Sequence, residues 1–266
     1  MFKCSSRHAA VIYSEGGMNM SIDSEKDLQA LIKIGKIVAI AREEMLKSMK
    51  PGMTTKELDR IGQRVLAGYG ARSAPRYQYK FPGYTCISVN DEAAHGIPGH
   101  RVLRPGDSIN IDVSAELNGY FADTGATVIL NDQDELKNKL CVCSKNALYK
   151  GIDNARTGAK LNQIGKAIYN EAKNSGFTVI RNLTGHGIGR KLHEEPTHIL
   201  NYFDERDNQI LTTGLVLAIE TFISTGAEFV IQDKSGWTLK TPDRSLVAQF
   251  EHTVVVTDNE PIILTA

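Results

Sequence analysis

The chain has 266 residues, and its 31 lysines and arginines balance 31 aspartates and glutamates, so its formal net charge is zero. With 41% hydrophobic and 23% charged residues it has a globular composition, which excludes a disordered chain and argues against attachment to nucleic acid by bulk charge. The longest stretch free of charged residues, 208–219, has twelve residues against the roughly 18 a membrane-spanning helix needs.

Residues 1–20 carry Lys3 but no apolar core like that of a leader peptide, and they are expected to form an N-terminal extension or the product of an upstream start. Four cysteines, Cys4, Cys86, Cys141 and Cys143, form no C-x-x-C pair, which points to a reducing, cytoplasmic setting. Apolar residues at Leu28, Leu31, Ile32, Ile37, Val38 and Met45 predict a helix over 24–49, stopped by Lys50-Pro51-Gly52. Thr54 and Glu57 make the capping box of a second helix, which closes at Gly68-Tyr69-Gly70. Tyr77, Gln78 and Tyr79 read as loop. Strands are predicted over 85–89, 108–114 and 120–130, then helices over 134–153 and 161–175. Strands return over 177–180, 215–223, 229–231 and 250–257. Helices followed by strands, twice over, suggest an α+β protein made of two similar halves.

A repeat should recur at matching offsets. Gly52 and Gly158 each open the second helix of a half, and Gly70 and Gly176 each close it. Asp112, in Asn110-Ile111-Asp112, aligns with Glu220, in Ala218-Ile219-Glu220. Asp123, in Ala122-Asp123-Thr124, aligns with Glu251, in Phe250-Glu251-His252. A carboxylate thus stands at corresponding points of two predicted strands in each half.

Ile109, Ile111 and Val113 alternate with Asn110, Asp112 and Ser114, so Asp112 leaves its strand on the face opposite the aliphatic residues. Glu220 ends the apolar run Leu215-Val216-Leu217-Ala218-Ile219, and Glu251 precedes Val254-Val255-Val256. Acids in buried strands are costly unless something neutralises them; exposure at strand ends is the plainer account for any single one. Four carboxylates carry a charge that two divalent ions cancel, and paired ions about 3.5–4 Å apart are the recurring arrangement for metal-assisted hydrolysis. No cysteine accompanies these acids, so a thiolate zinc site is disfavoured. His-Gly-Ile occurs once in each half, at His95 and His186, and His193 follows His186 before Glu194-Glu195-Pro196. His8, His100 and His198 read as ordinary structural histidines. His252, next to Glu251, points to the other face of its strand.

The order Asp112, Asp123, His186, Glu220, Glu251, in the words NIDV, ADTG, GHGIG, HEEP and AQFEHT, resembles the type I methionine aminopeptidases. The likeness runs over residues 21–266, from KPGMTTKELD to SLVAQFEHTVVVT. It implies a pita-bread fold: two pseudo-symmetric α/β halves, about 21–131 and 132–266, in a single catalytic domain whose curved antiparallel sheet surrounds a dinuclear metal site. It implies removal of the initiator methionine from nascent proteins and peptides, with a small penultimate residue preferred. By that resemblance Asp112 would chelate one ion, His186 and Glu220 would hold the other, and Asp123 and Glu251 would bridge them. The two divalent ions (manganese, iron(II), cobalt or zinc) would activate a bridging hydroxide, with Glu220 as proton shuttle. His193 would steady the substrate carbonyl, and His95 would bond the scissile amide nitrogen. Phe81, Cys86, Leu192 and Trp237 would line the methionine pocket. The resemblance further implies a monomer working on nascent chains near the ribosome, without direct contact to nucleic acid or membrane.

The sequence departs from the family in having Thr221 after Glu220, where proline is usual. Prolidases and aminopeptidase P share the ligands but normally carry a large extra N-terminal domain. A type II methionine aminopeptidase would need a helical insertion between His193 and Glu220. A non-enzymatic binding module built on this fold would normally have lost ligands, and all five are present.

Overall fold

The computed structural model describes residues 22–131 and 134–266; the expected extension at 1–20 lies outside the described residues. The first half comprises α1 (Glu25–Ser48), α2 (Thr55–Gly68), β1 (Arg72–Ser73), α3 (Ala74–Tyr79), β2 (Cys86–Val89), β3 (Glu92–Ala94), β4 (Ser108–Leu117) and β5 (Tyr120–Ile129). The second begins with α4 (Glu135–Ile152), α5 (Asn162–Asn174), β6 (Thr178–Val179), β7 (Thr184–Gly187) and β8 (Glu194–Leu200). It continues through β9 (Val216–Ser224), β10 (Ile231–Gln232), β11 (Leu239–Lys240), β12 (Val247–Val255) and β13 (Ile262–Ile263).

Local signals set the boundaries. Ser24 caps α1, its hydroxyl accepting from the Asp27 N–H, and the acids Glu25 and Asp27 stand in the positive first turn. The Thr54–Glu57 capping box of α2 is formed in both directions. Two departures from the sequence reading follow from short elements. Residues 77–79 belong to α3, a six-residue helix started by Pro75 in its first turn and too short to show a period. The strand expected over 229–231 starts only at Ile231, with Phe229 exposed before it.

Among the described residues the main sheet runs β1-β4-β5-β12-β9-β7-β8, with β2 on β4, β6 on β9 and β13 on β12, every pair antiparallel. α1 packs on β4 and β5, and α4 packs on β9 and β12, so each half covers the same face of its central hairpin. Ile109, Ile111, Val113 and Ala115 join Leu31, Ile34 and Val38 in one core. Leu217, Ile219, Ile223 and Val254 join Leu148, Ile152 and Ile164 in the other. The paired glycines share a backbone state: φ is 87° and 83° at Gly52 and Gly158, 73° and 80° at Gly70 and Gly176, and 85° at both Gly106 and Gly214. This is the left-handed region, which costs a residue with a Cβ roughly 1–2 kcal/mol. The repeat is therefore one of conformation as well as of letters.

Thr221, where the resemblance implied proline, ties β9 to its neighbours through its hydroxyl. It lies 2.8 Å from Ser144 Oγ on α4, and Ser144 Oγ in turn donates to the Ala248 carbonyl on β12 at 2.8 Å. The register Thr221↔Phe250 and Glu220↔Glu251 is unbroken, so the strand is held in place without the proline ring. Thr221→Val keeps the shape and deletes this buried bond; it is expected to lower unfolding free energy by about 1–2 kcal/mol. Urea unfolding of metal-free protein checks this, and an unchanged midpoint would show that the hydroxyl anchors nothing.

Candidate metal centre

The register of the sheet assembles the acids. Cys86 faces Asp112, Asp112 faces Gly125, Gly125 faces Glu251, and Glu251 faces Glu220, a single row across five strands. Residues directly opposite in antiparallel strands share a face, as do residues two apart in one strand. Asp123, two before Gly125, and His186, opposite Ala218 two before Glu220, therefore project on the same side. That side is the one α1 and α4 leave uncovered.

There Asp123, His186 and Glu251 offer ligand atoms all within 4.8 Å of one another. The Asp112 carboxyl hydrogen-bonds that of Asp123, and Glu220 Oε1 lies 4.0 Å from His186 Nε2. All five sequence-predicted ligands thus meet in one place. His186 Nδ1 lies 2.9 Å from the Gly187 carbonyl oxygen, which can only accept, so Nδ1 carries the proton and Nε2 presents its lone pair to the acids.

Burial pushes Asp112, Glu220 and Glu251 well above the usual carboxylate range, and the neighbouring acids push the same way. Asp123 rises only to about 6, because bonds from Asp112, the Thr124 N–H and Ser114 offset its burial. Burial, with His193 and His95 adding to it, holds His186 down to about 3, so its imidazole is neutral. Among the described residues three buried side-chain polar atoms lack any partner, and two of them are Asp112 Oδ1 and Glu251 Oε1. Buried carboxylate oxygens without donors, beside a neutral imidazole lone pair, suit a hard or borderline divalent cation.

A row of amides fixes Glu251 from behind. Asn110 Nδ2 donates to the Gln249 backbone carbonyl at 3.2 Å and to Gln249 Oε1 at 2.7 Å, and Gln249 Nε2 donates to Glu251 Oε2 at 3.1 Å. The backbone carbonyl can only accept, which orients both amides and leaves Glu251 Oε1 free. Gly125 makes room for this brace, since a Cβ there would run into the Gln249 amide.

The acids form the floor of a cavity of about 260 Å³ whose walls include Phe81, Cys86, Leu192, Trp237, His95, His193 and Tyr79. Every residue expected at the site from sequence lines it. Phe81 and Trp237 meet edge to face with centroids 5.3 Å apart. Burial, with Asp112 second, raises the Cys86 thiol well above its normal range, so it serves as wall and not as nucleophile. His95 has φ 55°, left-handed for a residue with a side chain, and a Cβ on the following Gly96 would strike the Ile87 carbonyl. That backbone state, which costs of order 1–3 kcal/mol, sets the direction in which the His95 side chain leaves the chain toward the cavity. Pro75, Tyr79 and Ser114 complete the lining and escaped the sequence reading. A larger surface depression of about 500 Å³ carries Arg104, Lys137 and Arg244 but none of the clustered acids. His252 lies on the helix side, its Nδ1 2.8 Å from Thr265 Oγ1.

Residues 29–258 match the model of metallopeptidase family M24. The chain is 55% identical over 247 residues to methionine aminopeptidase 2 of Bacillus subtilis, covering 92% of this chain and 99% of that enzyme. The crystal structure of methionine aminopeptidase from Rickettsia prowazekii superposes with a TM-score of 0.89 at 37% identity, covering 93% of this chain and all of that one. A prolidase from Pyrococcus furiosus shares the fold at 19% identity and TM-score 0.74, with 93% of this chain matching 66% of that longer chain.

Two outcomes are expected. The metal-free carboxyls, raised by burial, keep their protons to higher pH than ordinary acids do, and a divalent ion must displace them, whereas His186, held down to about 3, has none to give. Metal affinity should therefore rise with pH. Calorimetry with manganese(II) in buffers of different ionisation enthalpy should show proton release, and a buffer-independent heat would contradict it. Gln249→Leu, which removes the donor to Glu251, should weaken manganese binding by about 10- to 100-fold in the same titration.

Proposed function

The chain belongs to metallopeptidase family M24 and within it to the methionine aminopeptidases, and from that premise we propose how its own residues free the methionine at a peptide N-terminus. The enzyme is a metal-dependent hydrolase that removes N-terminal methionine. The observation that carries the reading is the row of acids with unpartnered oxygens at the floor of a cavity whose other wall is apolar.

We take Asp112, Asp123, His186, Glu220 and Glu251 as the ligands of two divalent ions drawn from manganese, iron(II), cobalt and zinc. When bound, such ions supply a Lewis acid for the scissile carbonyl and a water acidic enough to ionise near neutral pH. Phe81, Cys86, Leu192 and Trp237 receive the methionine side chain and exclude water from around it. The free amino terminus is drawn to the acids, which confines cleavage to the first peptide bond. Glu220, at the edge of the cluster and open to the cavity, takes the proton of the attacking water and passes it to the departing amine. His193 donates to the carbonyl oxygen as negative charge develops on it, and His95 bonds the scissile nitrogen. A small penultimate side chain fits best, because that residue must fit between the methionine pocket and the metal site.

Residues 21–266 serve as one catalytic domain whose halves, about 21–131 and 132–266, each supply acids to the shared floor. We place the enzyme in the cytoplasm as a monomer, acting on nascent chains near the ribosome; the unpaired thiols of Cys86, Cys141 and Cys143 support that compartment.

Metal-loaded enzyme should release methionine from Met-Ala-Ser faster than from Met-Lys-Ser and leave a Xaa-Pro peptide intact; cleavage confined to the bond before proline would move the assignment to prolidase chemistry. Asp112→Asn should lower kcat/KM at least about 100-fold together with metal content. His95→Ala should lower kcat about 10²- to 10³-fold with metal content unchanged. Full activity and full metal content in Asp112→Asn would sink the ligand assignment.

A further inference from the structure

His186 and His193 stand side by side with ring centroids 4.2 Å apart, yet their Nδ1 atoms have partners of opposite kind. His186 Nδ1 meets a backbone carbonyl, whereas His193 Nδ1 lies 2.7 Å from the Tyr79 hydroxyl oxygen. Between a phenol and a neutral imidazole either group has a proton to give, and acidity decides which gives it. A phenol, with an ordinary pKa of about 10, is far more acidic than a neutral imidazole N–H, and the imidazole nitrogen is the better base. The proton therefore stays on Tyr79, Nδ1 accepts, and the proton of His193 resides on Nε2.

The fold delivers Tyr79 to this point by a second contact across the same 114-residue separation. Tyr79 is the last residue of α3, which Lys80 closes in the left-handed region at φ 60°. Next to it, Gln78 Oε1 accepts from the Leu192 N–H at 3.1 Å. On its other side the loop is held by Glu194 Oε1, which accepts from the N–H groups of Arg190 and Lys191 at 2.6 Å each. Arg190 itself reaches Asp27 on α1 at 2.6 Å. The backbone around His193 is thus fixed from two directions, and the rotation and tautomer of its exposed ring are what remain to be set.

We propose that Tyr79 is a positioning residue that holds His193 as the Nε2–H tautomer, so that its cavity-facing nitrogen donates to the scissile carbonyl oxygen. This rests on the role given to His193 under the proposed function. Neighbouring imidazoles then do opposite work because of what stands behind each: a carbonyl behind His186 makes its Nε2 a lone pair for a cation, and a phenol behind His193 makes its Nε2 a donor. Without the phenol, His193 would divide between tautomers, and the fraction presenting a lone pair would repel the carbonyl oxygen.

The test combines a tautomer measurement with a double-mutant cycle. Zinc-loaded protein labelled with ¹⁵N-histidine, read by long-range ¹H–¹⁵N correlation, should show His193 as a single Nε2–H species, and Tyr79→Phe should convert it to a mixture. With Met-Ala-Ser, Tyr79→Phe should lower kcat about tenfold, part of the 10²- to 10³-fold effect of losing an oxyanion donor, with KM changed less than about twofold. In a His193→Ala background the same change should produce no further loss. An unchanged His193 tautomer in Tyr79→Phe, or an equal loss with and without His193, overturns the proposal. If His193→Ala turned over like wild type while Tyr79→Phe still shifted the tautomer, the donor role of His193 would fall and the catalytic part of the proposal with it, leaving the Tyr79–His193 polarity established by the spectrum.

Discussion

Like charges brought together in a dry place are the constraint around which the molecule is organised. Asp112, Glu251 and Glu220 lie in one row of the sheet, with Asp123 beside them, and among the described residues lining the cavity with them there is no lysine or arginine. A core arranged this way holds together as protonated acids or around divalent cations, and the two states exchange with pH and metal supply. The zero net charge of the chain conceals this: balance over the whole sequence coexists with a local excess that protons or bound cations must offset. Both helix layers cover the opposite face, which leaves the acid face to the cavity and its substrate.

The groups around the cluster act through direction more than through charge. His186 is neutral, held so by burial, and its back nitrogen is committed to a carbonyl. Gln249 is oriented by Asn110, which is oriented by a backbone carbonyl, so the donor reaching Glu251 can point only one way. His95 reaches the cavity through a strained backbone, with Gly96 giving the turn its clearance. His186 and Glu251 are thus each aimed by a neighbour whose own hydrogen bonding leaves no alternative.

Much of this was legible in the sequence because it recurs. The acids fall at corresponding strand positions of two halves, the glycines that break the helices share offsets, and the capping box of α2 is a local pattern, so the acid cluster, the halves and the main elements could be placed. What escaped depends on neighbours distant in the chain or on elements shorter than a period. Helix α3 has six residues and looked like loop, and with it went Tyr79, whose partner His193 is 114 residues away. The strands β3, β10 and β11, which carry the Trp237 wall, have two or three residues each and leave no alternation to detect. At Thr221 the letters showed only a departure from the expected proline; the hydroxyl bond to Ser144, on another element, is a contact they do not carry.

The hairpin of β4 and β5 turns at Asn118-Gly119, both with positive φ, the tight two-residue turn that matches the twist of its strands. Because the turn fixes pairing from Leu117↔Tyr120 onward, the opposition of Ser114 to Asp123, and with it the meeting of Asp112 and Asp123, is decided by counting residues from the tip. One residue added between the turn and Asp123 would hand that aspartate to the helix side while leaving the hairpin able to form. Along this stretch the active site is written in length before it is written in letters: many side chains between the two aspartates can vary within their packing, whereas their number cannot.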